Sequence, residues 1–291
     1  MYGYEGIHSA DSRGSMSLAV PTLKEKNGDF SNLLKIGPQY QIYDPATIQT
    51  APGGRTSRSP LPGNIIPASR INPTARKIAD YWEAPNTVGA ADDSDNWTST
   101  GPEWDHYYNH IFRVDHNPSE KHRIFVRSNY SKRYSEFDVR FNGAQGSHLI
   151  LYNLAAAFDD VYIINPQFIL NTRYSYTRFL WLQNPMQVGT DLAGLGFSKD
   201  FVNQVQPQGP LAVRLPSVTV NGYAPLSTTA NLNHQHNDTH DMAANLTKVF
   251  HAHTTRFGVA YRVYRTNSMN LGASSGTFTF ATNWTRGPLD S

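Results

Sequence analysis

At 291 residues the chain is long enough for one large domain or two small ones. Only 16% of its residues are charged, against about 25% in an average soluble domain, yet the mean hydropathy is -0.50 and 16 tyrosines help lift the aromatic share to 12%. A net charge of +2 carried by scattered basic residues gives no footing for nucleic acid, and zero cysteines exclude a disulfide framework and thiolate metal sites.

The first residues, "MYGYEG", lack the basic start and apolar core of a signal peptide. No apolar run approaches the roughly 18 residues of a transmembrane helix. A short strand-like run at 2–7 is followed by residues that read mainly as loop, up to about 105. Two short helices are predicted there. In "TLKEKNG", Thr22 and Glu25 make a capping box and Asn27-Gly28 a stop, which predicts a helix near 23–26. In "SPLPGNIIPASRINPTARKIADYW" (59–82), Gly63 supplies a turn after Pro62. Asn72 is placed as N-cap and Pro73 at the first helical position, which predicts a helix over 73–82. Ala75, Ile78, Ala79 and Trp82 then share one face. Asn72, Pro73, Ile78 and Trp82 are therefore loop-packing candidates. The helix either holds a loop rigidly against a rim or touches ligand.

Paired strand-like runs follow. The first hairpin joins 106–116 to 122–134 through "NPSEK", and the second joins 151–164 to 168–182 through "NPQ". The third joins 237–250 to 255–267 through "HAHT". Asn-Pro starts turns, and proline cannot continue a strand ladder. Residues 106–182 thus read as two hairpins with a medium loop at 135–150. A long loop covers 183–236, a hairpin 237–267 and a loop 268–291. Tight turns alternate with long excursions, which a compact soluble domain rarely keeps and an outer-membrane barrel has by design. The runs also reach the 9–11 residues that a membrane-crossing strand needs.

Alternation supports strands. Phe112, Val114, Ile124 and Val126 fall on one face, while Arg113, Asp115, Arg123 and Arg127 fall on the other. In a barrel the charged face meets the lumen, so these four are lumen-facing candidates, either for an ion-pair ladder or for contact with a plug or solute. Tyrosines and Trp181 gather toward strand ends, as an interfacial aromatic girdle requires. Asp159 and Asp160 place one carboxylate on each face, which puts them near the "NPQ" turn rather than in mid-membrane.

The strongest metal candidate is "HQHNDTHD" (234–241). On a strand His234, His236, Asp238 and His240 point to one face, and His and Asp suit zinc, copper or iron. The alternative is a solvated strand at the outer rim. No spacing specifies a catalytic triad, and no cofactor or enzyme activity is expected.

Several stretches, in order, carry a family resemblance. They are "YGYEGIHSADSRGSMSLAVPTLKEKNGDFSNLL", "IYDPATI", "PLPGNIIPASRINPTARKIADYW" and "RVDHNPSEKHRIFVRSNYS". They continue with "NPQFILNTRYSYTRF", "NGYAPLS", "NLTKVFHAHTTRFGVAYRVYRTN" and "GTFTFATNWTRGP". Over nearly its whole length the chain resembles the barrel portion of Oar-like, acidobacterial-type TonB-dependent outer-membrane receptors. The resemblance implies an all-β fold: part of a transmembrane antiparallel barrel, a meander of long hairpins whose extracellular loops carry short helices. It implies a fragment of one barrel domain over 1–291, with signal, plug and TonB box outside it; as an isolated piece such a fragment leaves two sheet edges unpaired, which predicts poor solubility if expressed alone.

The partners it implies are outer-membrane lipid and lipopolysaccharide, a plug domain, TonB–ExbB–ExbD acting through that plug, and a large or scarce solute such as an oligosaccharide or siderophore. The implied location is the bacterial outer membrane. A non-transporting barrel that binds a partner or polysaccharide through its loops is the first alternative. A soluble β-rich binding module is the second.

Overall fold

The computed structural model describes residues 1–12, 15–50, 56–99, 101–228 and 232–287. Parts of two family-like stretches, at 13–14 and 288, lie outside the described residues. Seven antiparallel strands form one meander in which each strand pairs only with its neighbours in the chain. They are β1 (Tyr2–Ser12), β2 (Pro102–Ser119), β3 (His122–Arg140), β4 (Gln145–Asn165), β5 (Phe168–Pro185), β6 (Leu232–Phe250) and β7 (His253–Leu271).

From β2 onward the strands run 18 to 21 residues. At about 3.3 Å per residue that is roughly 60–70 Å of strand. Two-residue turns join β2 to β3, β4 to β5 and β6 to β7.

The strands are longer than the sequence patterns suggest. β1 continues to Ser12, and the stretch read as a loop at 135–150 is strand apart from the turn around Phe141–Gly143. Phe141 and Asn142 take positive φ there, and Gly143 follows with φ 85°. The polar and glycine-rich composition of 135–150 looks loop-like. Pairing with a long neighbour overrides it, because each backbone N–H and C=O gains a ladder partner. Similarly, the long loop begins only after Pro185 and ends at Leu232. Pro118 does not end β2; the ladder shifts register between His116 and Ser119 and continues.

Register separates the two faces. One row reads Val114, Val126, Phe158, Tyr174, Met242 and Tyr261 across β2 to β7. The adjacent row on the other side reads Arg113, Arg127, Ala157, Ser175, Asp241 and Arg262. The apolar side carries its bulk outward: Val114 is 64% exposed, Phe257 61% and Val259 68%. So large an open apolar face marks contact with something other than water. The sheet is open, and β1 and β7 each keep one unpaired edge among the described residues.

The buried core lies elsewhere. Val20, Trp82, Trp97, Leu215, Val218, Ala224 and Leu226 pack with Phe141 and Ala144 of the β3–β4 turn. The long connections thus fold together as a cap over one end of the sheet. The cap holds α1 (Leu23–Lys26), α2 (Ser31–Leu34), α3 (Pro73–Ala79), α4 (Leu192–Leu195) and α5 (Lys199–Val205). It also holds a parallel strand pair, Ser217–Val220 with Thr277–Phe280.

Candidate functional site

Two surfaces carry chemistry: the cap, and the polar face of the sheet beneath it. In the cap, the Thr22 hydroxyl accepts from Glu25 N at 3.3 Å and the Glu25 carboxylate accepts from Thr22 N at 2.8 Å, closing the capping box of α1. The other Glu25 oxygen accepts from the Tyr223 hydroxyl at 2.9 Å. Burial, and then the Glu25 charge, push the Tyr223 phenol up. Asn64 is fully buried; its Oδ1 accepts from Ile42 N and from Gln41 Nε2 at 2.8 Å, and its Nδ2 donates to Tyr40 O at 2.7 Å. Arg70 grips Asp44 with two donors at 2.6 Å and holds its carboxyl below the usual carboxylate range.

Asn72 Oδ1 accepts from Thr74 N at 2.8 Å and Ala75 N at 3.3 Å, with Pro73 in the first turn. α3 ends at Ala79, shorter than the 73–82 pattern, and the chain turns through Asp80 and Tyr81 to deliver Trp82 into the core. Trp82 is 5% exposed, and its Nε1–H donates to Ala224 O at 2.8 Å. Ile78 is half-buried against the same cluster. A cavity of about 580 Å³ opens between α3, the loop into α5 and the parallel strand pair. Ile78, Trp82, Phe197, Val218, Phe278 and Phe280 supply its apolar walls, with Asn72, Thr74 and Ser198 as polar members.

On the sheet, Arg113, Asp115, Arg123 and Arg127 share the polar face. They do not converge on one centre. Arg113 pairs with Asp115 on its own strand, Nε to Oδ2 at 2.9 Å, and its guanidinium lies 4.4 Å from the Phe125 ring centre. Arg127 stands opposite Arg113, and Arg123 opposite Val161.

The stronger cross-strand pairs were missed by the local pattern. Arg133 binds Asp105 with Nε at 2.8 Å, and Ser135 Oγ donates to the same carboxylate at 2.9 Å. Arg173 Nε and Asn171 Nδ2 both donate to buried Asp159 at 2.8 Å. Arg262 binds Asp241. Each pair joins residues 14 to 28 positions apart, so only register could have revealed them. Near the cap, Ile7, Tyr107, Arg133, Leu151 and Trp181 are successive partners across β1 to β5. With Asn153 and Phe179, most of this row lines a cleft of about 290 Å³. Trp181 therefore belongs to the polar face and not to a lipid-side girdle; strict alternation from Leu180 and Leu182 puts it there.

His234, His236, Asp238 and His240 share the apolar face, and His234, Asp238 and His240 each meet separate partners. His234 Nε2 meets Asn184 at 2.8 Å, and His240 Nδ1 meets the Tyr174 hydroxyl at 2.9 Å. Asp238 accepts from Tyr176 at 2.6 Å and from Arg178 Nε at 2.7 Å. Among the described residues no group of three or more His, Asp or Glu is placed to hold a metal ion.

One apolar face, one ion-paired polar face, tight turns at one end and a folded cap at the other define the wall of a β-barrel that stands in lipid. A family model described as "Outer membrane beta barrel domain" matches residues 1–291. The chain belongs to that family, and its place is the bacterial outer membrane. No curated protein and no solved structure matches it. In such a barrel the polar face lines the lumen, and the long connections lie outside the cell.

Proposed function

We propose that this barrel wall belongs to a TonB-dependent transporter of the Oar-like kind, which takes up a solute too large or too scarce for porins. Energy arrives from TonB–ExbB–ExbD through a plug held in the lumen. The observation that supports transport is the polar face under the cap, where the Arg133–Asp105 pair adjoins Tyr107 and Phe179, with Trp181 paired to Leu151 of the same cleft. A lumen that carries fixed charge pairs and aromatic platforms suits a polar solute or a plug surface better than free water flow. No catalytic role is assigned to any residue.

Solute depletion from the medium is the test, with the full-length gene in its own host. Uptake should need this gene and should stop when TonB is inactivated or the proton-motive force is collapsed. Uptake that survives both treatments would refute energised transport. The cap's own packed core also supports adhesion, since it presents a rigid outer surface. Loss of surface attachment in the mutant, with uptake intact, would favour that reading.

A further inference from the structure

Histidine is distributed unevenly between the two faces. Every histidine within the seven strands lies on the apolar, outward side, and none shares the polar face. Seven of the 11 histidines lie toward the cap end: His8, His106 and His110 on β1 and β2, His148 on β4, and His234, His236 and His240 on β6. Tyr2, Tyr4, Tyr108, Tyr130 and Tyr176 stand among them. The rings touch: His8 and His106 face each other with Nδ1 atoms 2.5 Å apart, and His110 Nδ1 meets the Tyr2 hydroxyl at 2.9 Å.

The position of this band is informative. On β2 it begins directly above Phe112 and Val114, and on β6 directly above Met242 and Ala244, so it continues the lipid-facing belt toward the outside. Apolar side chains are interspersed at this height: Trp104 on β2, Ile150, Leu180 and Leu182 between β4 and β5, and Val263 and Met269 on β7. The charged groups that face the band are Lys132, Arg178 and Arg265 against Asp238 and Glu136. Asp238 is already taken by Arg178 and Tyr176, and Glu136 accepts from Tyr134. The balance toward the membrane is therefore cationic, and protonation of the imidazoles makes it more so. Phenols ionise far above this range.

We propose that this outward histidine–tyrosine band is a docking surface for the phosphorylated glycolipid of the outer leaflet, lipopolysaccharide, and that the protein binds its phosphates more tightly as the pH falls. Continuity with the apolar belt puts the band at headgroup height, where phenols and imidazoles are favoured. Charge complementarity selects the phosphates, since each positive charge near an anionic surface adds about 1 kcal/mol, or roughly fivefold. Imidazole is the side chain that gains charge between about pH 8 and pH 5. The inference rests on the outer-membrane assignment and is independent of transport.

The full-length protein, folded in mixed micelles, should be titrated with bisphosphorylated lipid A and with its dephosphorylated form at about pH 8 and about pH 5.5. Affinity for the phosphorylated lipid should rise about tenfold on acidification, and that for the dephosphorylated lipid should not. The combined variant His106→Gln, His110→Gln, His236→Gln and His240→Gln should lose the gain while still showing heat-modifiable gel migration. Equal affinity for both lipids, no pH dependence, or a gain that persists in the folded variant would overturn the proposal. If the variant fails to fold, the two-lipid comparison on the unchanged protein still decides.

Discussion

Trp82→Ala should open the cap and leave the barrel wall standing. Trp82 is 5% exposed within the cluster that includes Val20, Trp97 and Leu226, and its indole N–H holds Ala224 O at 2.8 Å. Removing a buried tryptophan side chain costs about 3–5 kcal/mol from lost transfer energy and the cavity left behind. The lost hydrogen bond adds about 1 kcal/mol. A loss of about 4 kcal/mol raises the open population of the cap nearly a thousandfold. The wall is insulated from this change, because β2 to β7 are held by their own ladders and, among the described residues, the sheet joins the buried cap core through Phe141 and Ala144 of the β3–β4 turn. Limited proteolysis of intact cells should cut the variant within 56–99 or 186–228 while its heat-modifiable migration persists. Trp82→Phe should keep most of the protection. A cap in Trp82→Ala as resistant as the parent would refute the idea that one core holds the loops together. Loss of the barrel itself would refute the separation of cap from wall.

Asn72→Ala should weaken the cap by about 1 kcal/mol through loss of the α3 N-cap, and Asn72→Asp should restore it; protease half-lives at the cap check this. The raised Tyr223 phenol favours the neutral form in the folded cap. Its contribution is therefore complete below the ordinary tyrosine value of about 10 and fades as the pH rises beyond it. Cap protection should fall at strongly alkaline pH, and Tyr223→Phe should remove that dependence. Asp159→Ala should destabilise the wall by about 1–2 kcal/mol, a figure reduced because Arg173 is half in solvent; the temperature at which the gel shift occurs reads this, and Arg173→Ala in the same background should add little. Phe179→Ala with Trp181→Ala should cut solute uptake several-fold without changing that temperature, and unchanged uptake would remove the aromatic row from the transport path.

Local signals carried far in this chain. The capping box of Thr22 and Glu25 and the Asn72–Pro73 helix start were legible because their partners lie within three residues. Alternation separated Phe112 and Val114 from Arg113 and Asp115, because side chains on a strand change sides with every residue. The same alternation, followed one step too loosely, counted Trp181 with the girdle. Register puts it on the polar face. The strand content of 135–150 was hidden by turn-forming residues, which become ladder members once long neighbours offer hydrogen bonds.

The sequence by itself determined that this is a wall of long antiparallel hairpins with one apolar face, since that follows from period-two patterning and Asn-Pro turns within single hairpins. Only the tertiary structure decided which charges meet: Asp105 with Arg133, Asp159 with Arg173, Asp238 with Arg178. It also decided that the loops share one core, with Trp82 under Ala224, 142 residues away in the chain. Local patterning fixes which way a side chain points. What it touches depends on register and on long-range packing, and a one-residue slip in pairing would exchange every partner and every face.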